Sequence, residues 1–400
     1  METFAKIITA CYDKGFSDLH LTGNQPLVCR RDGEVFFQKQ NVLTPQYLER
    51  LTGLLLNPRQ LQQLRDCWSV DLAVTIEGKR LRLNVFSTHC GVSLAIRFLP
   101  ALIPDIDSLN LHPCVKDFCR ESSGLLLICG STGSGKTTTI AALINEINHS
   151  RGGHIVTLED PIEYLFASHK SFIEQRELGK HFHSYQQGLL DVLRQAPDVI
   201  VVGEMRSPET IQLCLDAAES GHLVIATMHA GSHEEAVHRL CSSTHAGSGE
   251  HLRLQLSSCL VGVINQQLQY MPRLKHSVPV LSILRNTKAI ATLIRENKLS
   301  QLDGYLESCK DKGMFTFAAY RDDYLAQRKQ FSPPPGRGAG QMSGAPAEHD
   351  SGLFNYNARG AGEGPAYALP ATAAEPGPGA YAGEAADIDD YISQLEQRSA

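Results

Sequence analysis

The 400-residue chain lacks any Cys-x-x-Cys pair; its 11 cysteines are odd in number and scattered, and Cys114 and Cys119, the nearest neighbours, find no matching pair further on. That spacing excludes a disulfide framework and, with no secretory leader pattern at the start, leads us to expect reduced thiols in a cytoplasmic protein. A membrane-length apolar run is also missing. The segment Leu254–Pro272 carries no formal charge, but Gln255, Ser257, Ser258, Asn265, Gln266, Gln267 and Gln269 interrupt it, so it reads as a buried helix running into a strand. Finally, there is no basic excess. The formal charge of -6 lies beyond Phe331, where three basic side chains face nine acidic ones, and residues 1–330 are balanced. General phosphate-backbone binding to nucleic acid is therefore not expected.

The sequence divides by pattern. Residues 1–99 read as a small α+β domain: a short opening helix, a strand ribbon over "SDLHLTGNQPLVCRRDGEVFF", a helix begun by Thr44-Pro45, and three antiparallel strands over "VDLAVTIEGKRLRLNVFSTHCGVSLAIRFLP". The proline-bearing stretch 100–123 reads as an interdomain linker and hinge with a short helix. From residue 124 to about 330, the apolar runs "GLLLICG", "HIVTLED", "DVIVVGE" and "HLVIATMHA" alternate with helical segments, the signature of an α/β domain whose mostly parallel sheet is buried on both faces. Beyond residue 230 the chain is expected to be mainly helical. Residues 331–385, rich in Gly, Pro and Ala, are expected to be disordered, and 386–398 to form a short amphipathic helix.

Four segments carry chemistry. "GSTGSGKT" fits G-x-x-x-x-G-K-[ST] between an apolar strand and a helix. Gly130, Ser131, Thr132, Gly133, Ser134 and Gly135 would turn backbone N–H groups onto a phosphate. Lys136 would neutralise its oxygens, Thr137 would hold Mg²⁺ by its hydroxyl, and Thr138 would follow in the helix. "DVIVVGEMR" ends on Gly203, small for close approach, and Glu204, expected near the metal or the attacking water. "LEDPIEY" crowds Glu159, Asp160 and Glu163 past a strand end; a nucleotide-bound cation would relieve their repulsion, and Glu163 is the candidate general base, with Glu159 and Asp160 the candidates for capping the next turn. "HLVIATMHA" is bracketed by His222 and His229, candidates for γ-phosphate sensing or subunit contact.

These four motifs, in order, closely resemble the secretion-type hexameric ATPases, and among them the type IV pilus retraction motors of the PilT/PilU group. There they are the Walker A, Asp, Walker B and His boxes; the likeness spans about residues 5–325, including "SDLHL" and "AIATLIRENK". It implies a RecA-like P-loop core behind a PAS-like N-terminal domain, and a cytoplasmic homo-hexamer hydrolysing ATP with Mg²⁺ between its two domains. Arginines would complete the site. Arg82 and Arg97, with Arg80 beside them on the N-terminal strands, are the candidates, and of these Arg82 and Arg97 are carried over as γ-phosphate contacts. It further implies docking at the inner-membrane pilus base on a platform protein, without nucleic acid and without membrane insertion of its own.

Assembly-type relatives usually carry a long extra N-terminal region and a four-cysteine module, neither found here, which favours retraction. Where retraction motors read A-I-R-N-L-I-R, this chain has "AIATLIR": Ala291 and Thr292 replace Arg-Asn and only Arg295 remains. With "LRQAPDVI" and "ATMHA", that departure leans toward a PilU-like accessory working beside a PilT-type companion. A nucleic-acid motor on a RecA-like fold and a poorly hydrolysing regulatory ring are the alternatives.

Overall fold

The computed structural model describes residues 1–333 apart from Asp32, Ala101, 243–248 and 310–311. The tail expected to be disordered and its short helix at 386–398 lie outside the described residues.

The N-terminal domain follows its sequence pattern. Helix α1 (Glu2–Asp13) precedes β1 (Asp18–Thr22), β2 (Pro26–Arg31) and β3 (Glu34–Val42); α2 (Pro45–Leu55) and α3 (Pro58–Cys67) lead into β4 (Ser69–Ile76), β5 (Lys79–Thr88) and β6 (Gly91–Phe98). Thr44 caps α2 by accepting from the Tyr47 N–H at 3.2 Å, as its Thr-Pro start suggests. The less obvious α3 is set by a reciprocal cap, Asn57 and Gln60 each bonding the other's backbone N–H. The six antiparallel strands lie in the order β3-β2-β1-β6-β5-β4. Leu19, Leu21, Leu81, Leu83, Leu94 and Ile96 face the same core as Phe4 and Ile8 of α1, the alternation that a sheet covered on one side requires.

The second domain is a seven-stranded sheet. Its elements are α4 (Val115–Phe118), β7 (Gly124–Cys129), α5 (Lys136–Ser150), β8 (Gly153–Glu159), β9 (Ser171–Glu177), α6 (Tyr185–Val192), β10 (Val199–Val202), α7 (Pro208–Glu219), β11 (Leu223–Met228), α8 (His233–Ser242), α9 (Gly249–Cys259), β12 (Leu260–Met271), β13 (His276–Arg285) and α10 (Lys288–Arg295). The strand order is β13-β12-β7-β11-β10-β8-β9. All are parallel except β13, which forms an antiparallel hairpin with β12. Both faces are covered: Leu125, Leu127 and Cys129 of β7 join one core, Leu126 and Ile128 the other.

Two expectations need refinement. Helices predominate beyond residue 230 among the described residues, but β12 and β13, 12 and 10 residues long, also extend the sheet. The buried helix running into a strand expected over Leu254–Pro272 is α9 followed by β12; its return strand β13 was not expected, and Asn265 and Gln266 of β12 are buried although polar. The stretch 100–123, expected as a linker and hinge with a short helix, carries that helix as α4 but is largely packed. Ile106, Leu109, Leu111, Val115 and Phe118 are sunk in the core of the larger domain, and Asn110 clasps the backbone of Ser332 through both ends of its carboxamide, donating at 3.0 Å and accepting at 2.8 Å.

Candidate active site

Four parallel strands that neighbour one another, β7, β11, β10 and β8, release at their carboxyl ends the four segments singled out above. In open α/β sheets that edge is where ligands bind. Between β7 and α5 the loop turns on Gly130, Gly133 and Gly135, at φ 146, 78 and 89°. A Cβ on Gly130 would collide with the Gln266 carbonyl and stand 2.7 Å from Ser134 Oγ, so only glycine fits. The Lys136 ammonium donates to the carbonyls of Gly130 at 2.7 Å and Ser131 at 2.9 Å, spanning the loop. Burial lowers its pKa, an effect the nearby Glu204 charge opposes. Ser134 Oγ is buried with no protein partner, and Thr137 is exposed at the start of α5. A concave loop with a cation across it, an orphaned hydroxyl inside it and glycines that leave room for an oxyanion fits a nucleotide phosphate.

Glu204, just past β10, accepts from Arg206 Nη2 at 2.7 Å, and His229 Nε2 lies 3.4 Å from its other oxygen. Gly203 is tight for the reason expected: a Cβ there would meet Tyr185 Oη at 2.9 Å. His229 is thus brought to Glu204, but His222 is not. It stands at the amino end of β11, its Nδ1 near the Ala217 carbonyl at 3.0 Å and its own carbonyl accepting from Gly124. A parallel strand shows its two ends to opposite edges of the sheet, so His222 lies roughly 20 Å from the phosphate loop at about 3.3 Å per residue. From there His222 does not reach a phosphate held by that loop.

The three crowded acids stand in different surroundings, though Arg82 acts on two of them. Glu159 folds back on Thr157 Oγ1 and Gln175 Nε2, at 2.7 and 3.0 Å. Burial lifts its pKa to about 7, these two hydrogen bonds opposing. Asp160 is raised by burial, with the charges of Arg206 and Arg82 pulling it back. Glu163 receives Arg82 Nη1 at 3.2 Å. Burial raises the Glu163 carboxyl and Arg82, then Arg97, lower it. Arginine from the N-terminal domain, rather than a nucleotide-bound cation alone, therefore relieves the crowding.

Arg82 and Arg97 are direct cross-strand partners on β5 and β6. Arg97, largely exposed, is tied to Asp18 at 2.9 Å. Arg80 takes a different task. Its guanidinium donates to the Ile162 carbonyl at 2.7 Å, inside the acidic segment. With Lys180, which bonds both the buried Glu177 and the Ala73 carbonyl, it docks one domain on the other. Tyr164 ties the same segment to α5 by donating to Thr138 Oγ1 at 3.3 Å.

One buried histidine near His229 in the chain was not singled out by the sequence. His233 opens α8 four residues after His229 and is buried, with Ser282 Oγ 2.8 Å from Nε2 and Asn265 Nδ2 3.2 Å from Nδ1. Burial pushes its pKa down to about 3. The unfolded chain takes up a proton near the ordinary imidazole value of about 6.5 and the folded chain does not, so stability falls as pH drops below that value. The expected loss is about 2 kcal/mol by pH 5 from this group. Urea melts at pH 7.5 and 5 should show a shallower pH slope in His233→Gln by that one-proton contribution.

Comparison with known proteins agrees with this geometry. A family model described as type II/IV secretion system protein matches residues 5–304. The chain belongs to that family. It is 34% identical to the type IV pilus retractation ATPase PilT of Pseudomonas aeruginosa, over 76% of this chain and 88% of that one. It is 32% identical to the type IV pilus ATPase PilU of the same organism, over 78% and 82%. Among solved structures, the pilus retraction motor PilT with bound ADP superposes with a TM-score of 0.71 at 36% identity, covering 79% of this chain and 95% of that one. As a member of this family, the chain places its glycine-rich loop, Glu204 and acidic segment on one sheet edge beneath an arginine-bearing N-terminal domain.

Proposed function

We propose that the chain hydrolyses ATP as one subunit of a homo-hexameric motor that powers or assists type IV pilus retraction. The observation that carries this reading is the convergence of four motifs on one sheet edge together with the reach of Arg82, from another domain, to Glu163. The loop N–H groups and Lys136 hold the β- and γ-phosphates. Mg²⁺, held by the Thr137 hydroxyl and through water by Glu204, would supply charge neutralisation when bound. Glu163, a carboxylate in a partly dry site with its pKa raised by burial, takes the proton of the attacking water as it meets the γ-phosphorus. His229 and Arg206 set the Glu204 carboxylate. Arg82 and Arg97 deliver positive charge to the γ-phosphate as the domains close, which makes hydrolysis depend on domain position and converts it into a stroke.

The departure at α10 supports an accessory role beside a PilT-type companion. Ala291 offers no polar group, and the Thr292 hydroxyl turns back onto the Lys288 carbonyl of its own helix at 2.9 Å. The place of action is the cytoplasmic face of the inner membrane, on the pilus platform protein; among the described residues no helix is long and apolar enough to cross a membrane. Expression in a retraction-deficient strain, with and without a companion motor gene, tests the proposal by twitching and pilus length. Retraction should improve only with the companion present. Full rescue by this chain alone would overturn the accessory role, and no effect in either background would overturn the pilus assignment.

A further inference from the structure

We propose that Gln266 is a positioning residue for the phosphate loop, aiming one of its backbone amides at the nucleotide. This rests on the ATP reading above. Strand β12 runs parallel to β7 with Asn265 opposite Cys129, which sets Gln266 beside the point where β7 becomes loop. Its side chain is 1% exposed. The residue two before it on the same face, Ile264, is apolar and belongs to the core over α5, so packing alone would be served by another aliphatic side chain. A carboxamide there costs free energy unless both its ends are bonded, and both are. Gln266 Nε2 donates to the Ser134 carbonyl at 2.7 Å, and Oε1 accepts from Thr139 Oγ1 at 2.7 Å.

The first of these bonds fixes a direction. The peptide joining Ser134 to Gly135 is planar, so its C=O and N–H point opposite ways. With the Ser134 carbonyl held toward β12, the Gly135 N–H faces away from β12, toward the concave side of the loop where an anion would sit. The glycines on either side leave room for this brace. A Cβ on Gly130 would strike the Gln266 carbonyl, and one on Gly135 would stand 2.8 Å from its Nε2. The second bond anchors the carboxamide to the first turn of α5, so the brace cannot turn without releasing Thr139. Gln266 touches no reacting atom; it acts through the loop.

An amide aimed at the β-phosphate serves ATP, ADP and the transition state alike, so its loss should appear in binding more than in turnover. With the full-length protein, titration of a fluorescent ADP analogue and steady-state ATPase assays should give a roughly tenfold rise in Kd and in KM for Gln266→Leu, with kcat within about threefold. Gln266→Glu should show a larger defect at pH 8 that shrinks as pH falls, because only a protonated carboxyl can donate to the Ser134 carbonyl. Thr139→Val should reproduce part of the binding defect and Thr139→Ser should restore it. Unchanged Kd and KM in a Gln266→Leu protein with native melting, or a fall confined to kcat, would overturn the proposal. Should that variant fail to fold, equal ADP affinity in Thr139→Val and Thr139→Ser would overturn it instead. A wild-type protein that binds no ADP would sink the ATP reading.

Discussion

Replacing Lys136 by alanine is expected to reduce phosphate release at least ~10²-fold and to weaken ATP and ADP binding together. The ammonium spans the loop carbonyls of Gly130 and Ser131, the position from which a single cation can meet β- and γ-oxygens. Burial already disfavours its charge, and Glu204 is the neighbour that sustains it. Removing the amine leaves the loop facing a polyphosphate with backbone dipoles alone. Melting temperature should change little, because the ammonium serves the loop and not a core. A malachite-green assay alongside calorimetric nucleotide titration checks both halves, and retention of more than a tenth of the wild-type rate would remove Lys136 from the chemistry.

The second large effect is separable from the first. Glu163→Gln should lower kcat by ~10²- to 10⁴-fold while leaving ADP affinity within a small factor, since a carboxamide keeps the hydrogen bond from Arg82 in reach and loses only the base. Its partner supplies a sign test. Burial raises the Glu163 pKa and Arg82, 3.2 Å away, lowers it. In Arg82→Ala only the weaker pull of Arg97 still opposes burial, so the acidic limb of the pH–kcat profile should move to higher pH as deprotonation of the base becomes harder. If Glu163 is not the base, that limb stays where it is. Glu159, lifted to about 7 and bonded by Thr157 and Gln175, would then be the next carboxylate to replace.

Much of this site was legible because the groups involved obey strong local rules. A glycine-rich turn between a fully apolar strand and a helix admits few other readings, and four-residue β10 announces itself by four successive aliphatic side chains. What the sequence concealed falls into two kinds. Strand direction decided the histidines: both end the same apolar run, but only the carboxyl end meets the loop, and a string of letters does not mark which end of its neighbour each residue faces. Buried polarity decided the hairpin. Asn265, Gln266, Ser282 and His233 are core residues by position, yet each looks like surface until its partner, far away in the chain, is known. Arg80 hides its task in the same way: the sequence assigned it no role, and its guanidinium is spent on the Ile162 carbonyl.

The clasp between Asn110 and Ser332, with Ile106 and Leu109 embedded beside it, fastens the stretch from Ile106 onward to the core of the larger domain. An excised copy of that domain would have to begin before Ile106 and run through Ser332, because a cut inside the clasp would strip apolar side chains from the interior it closes.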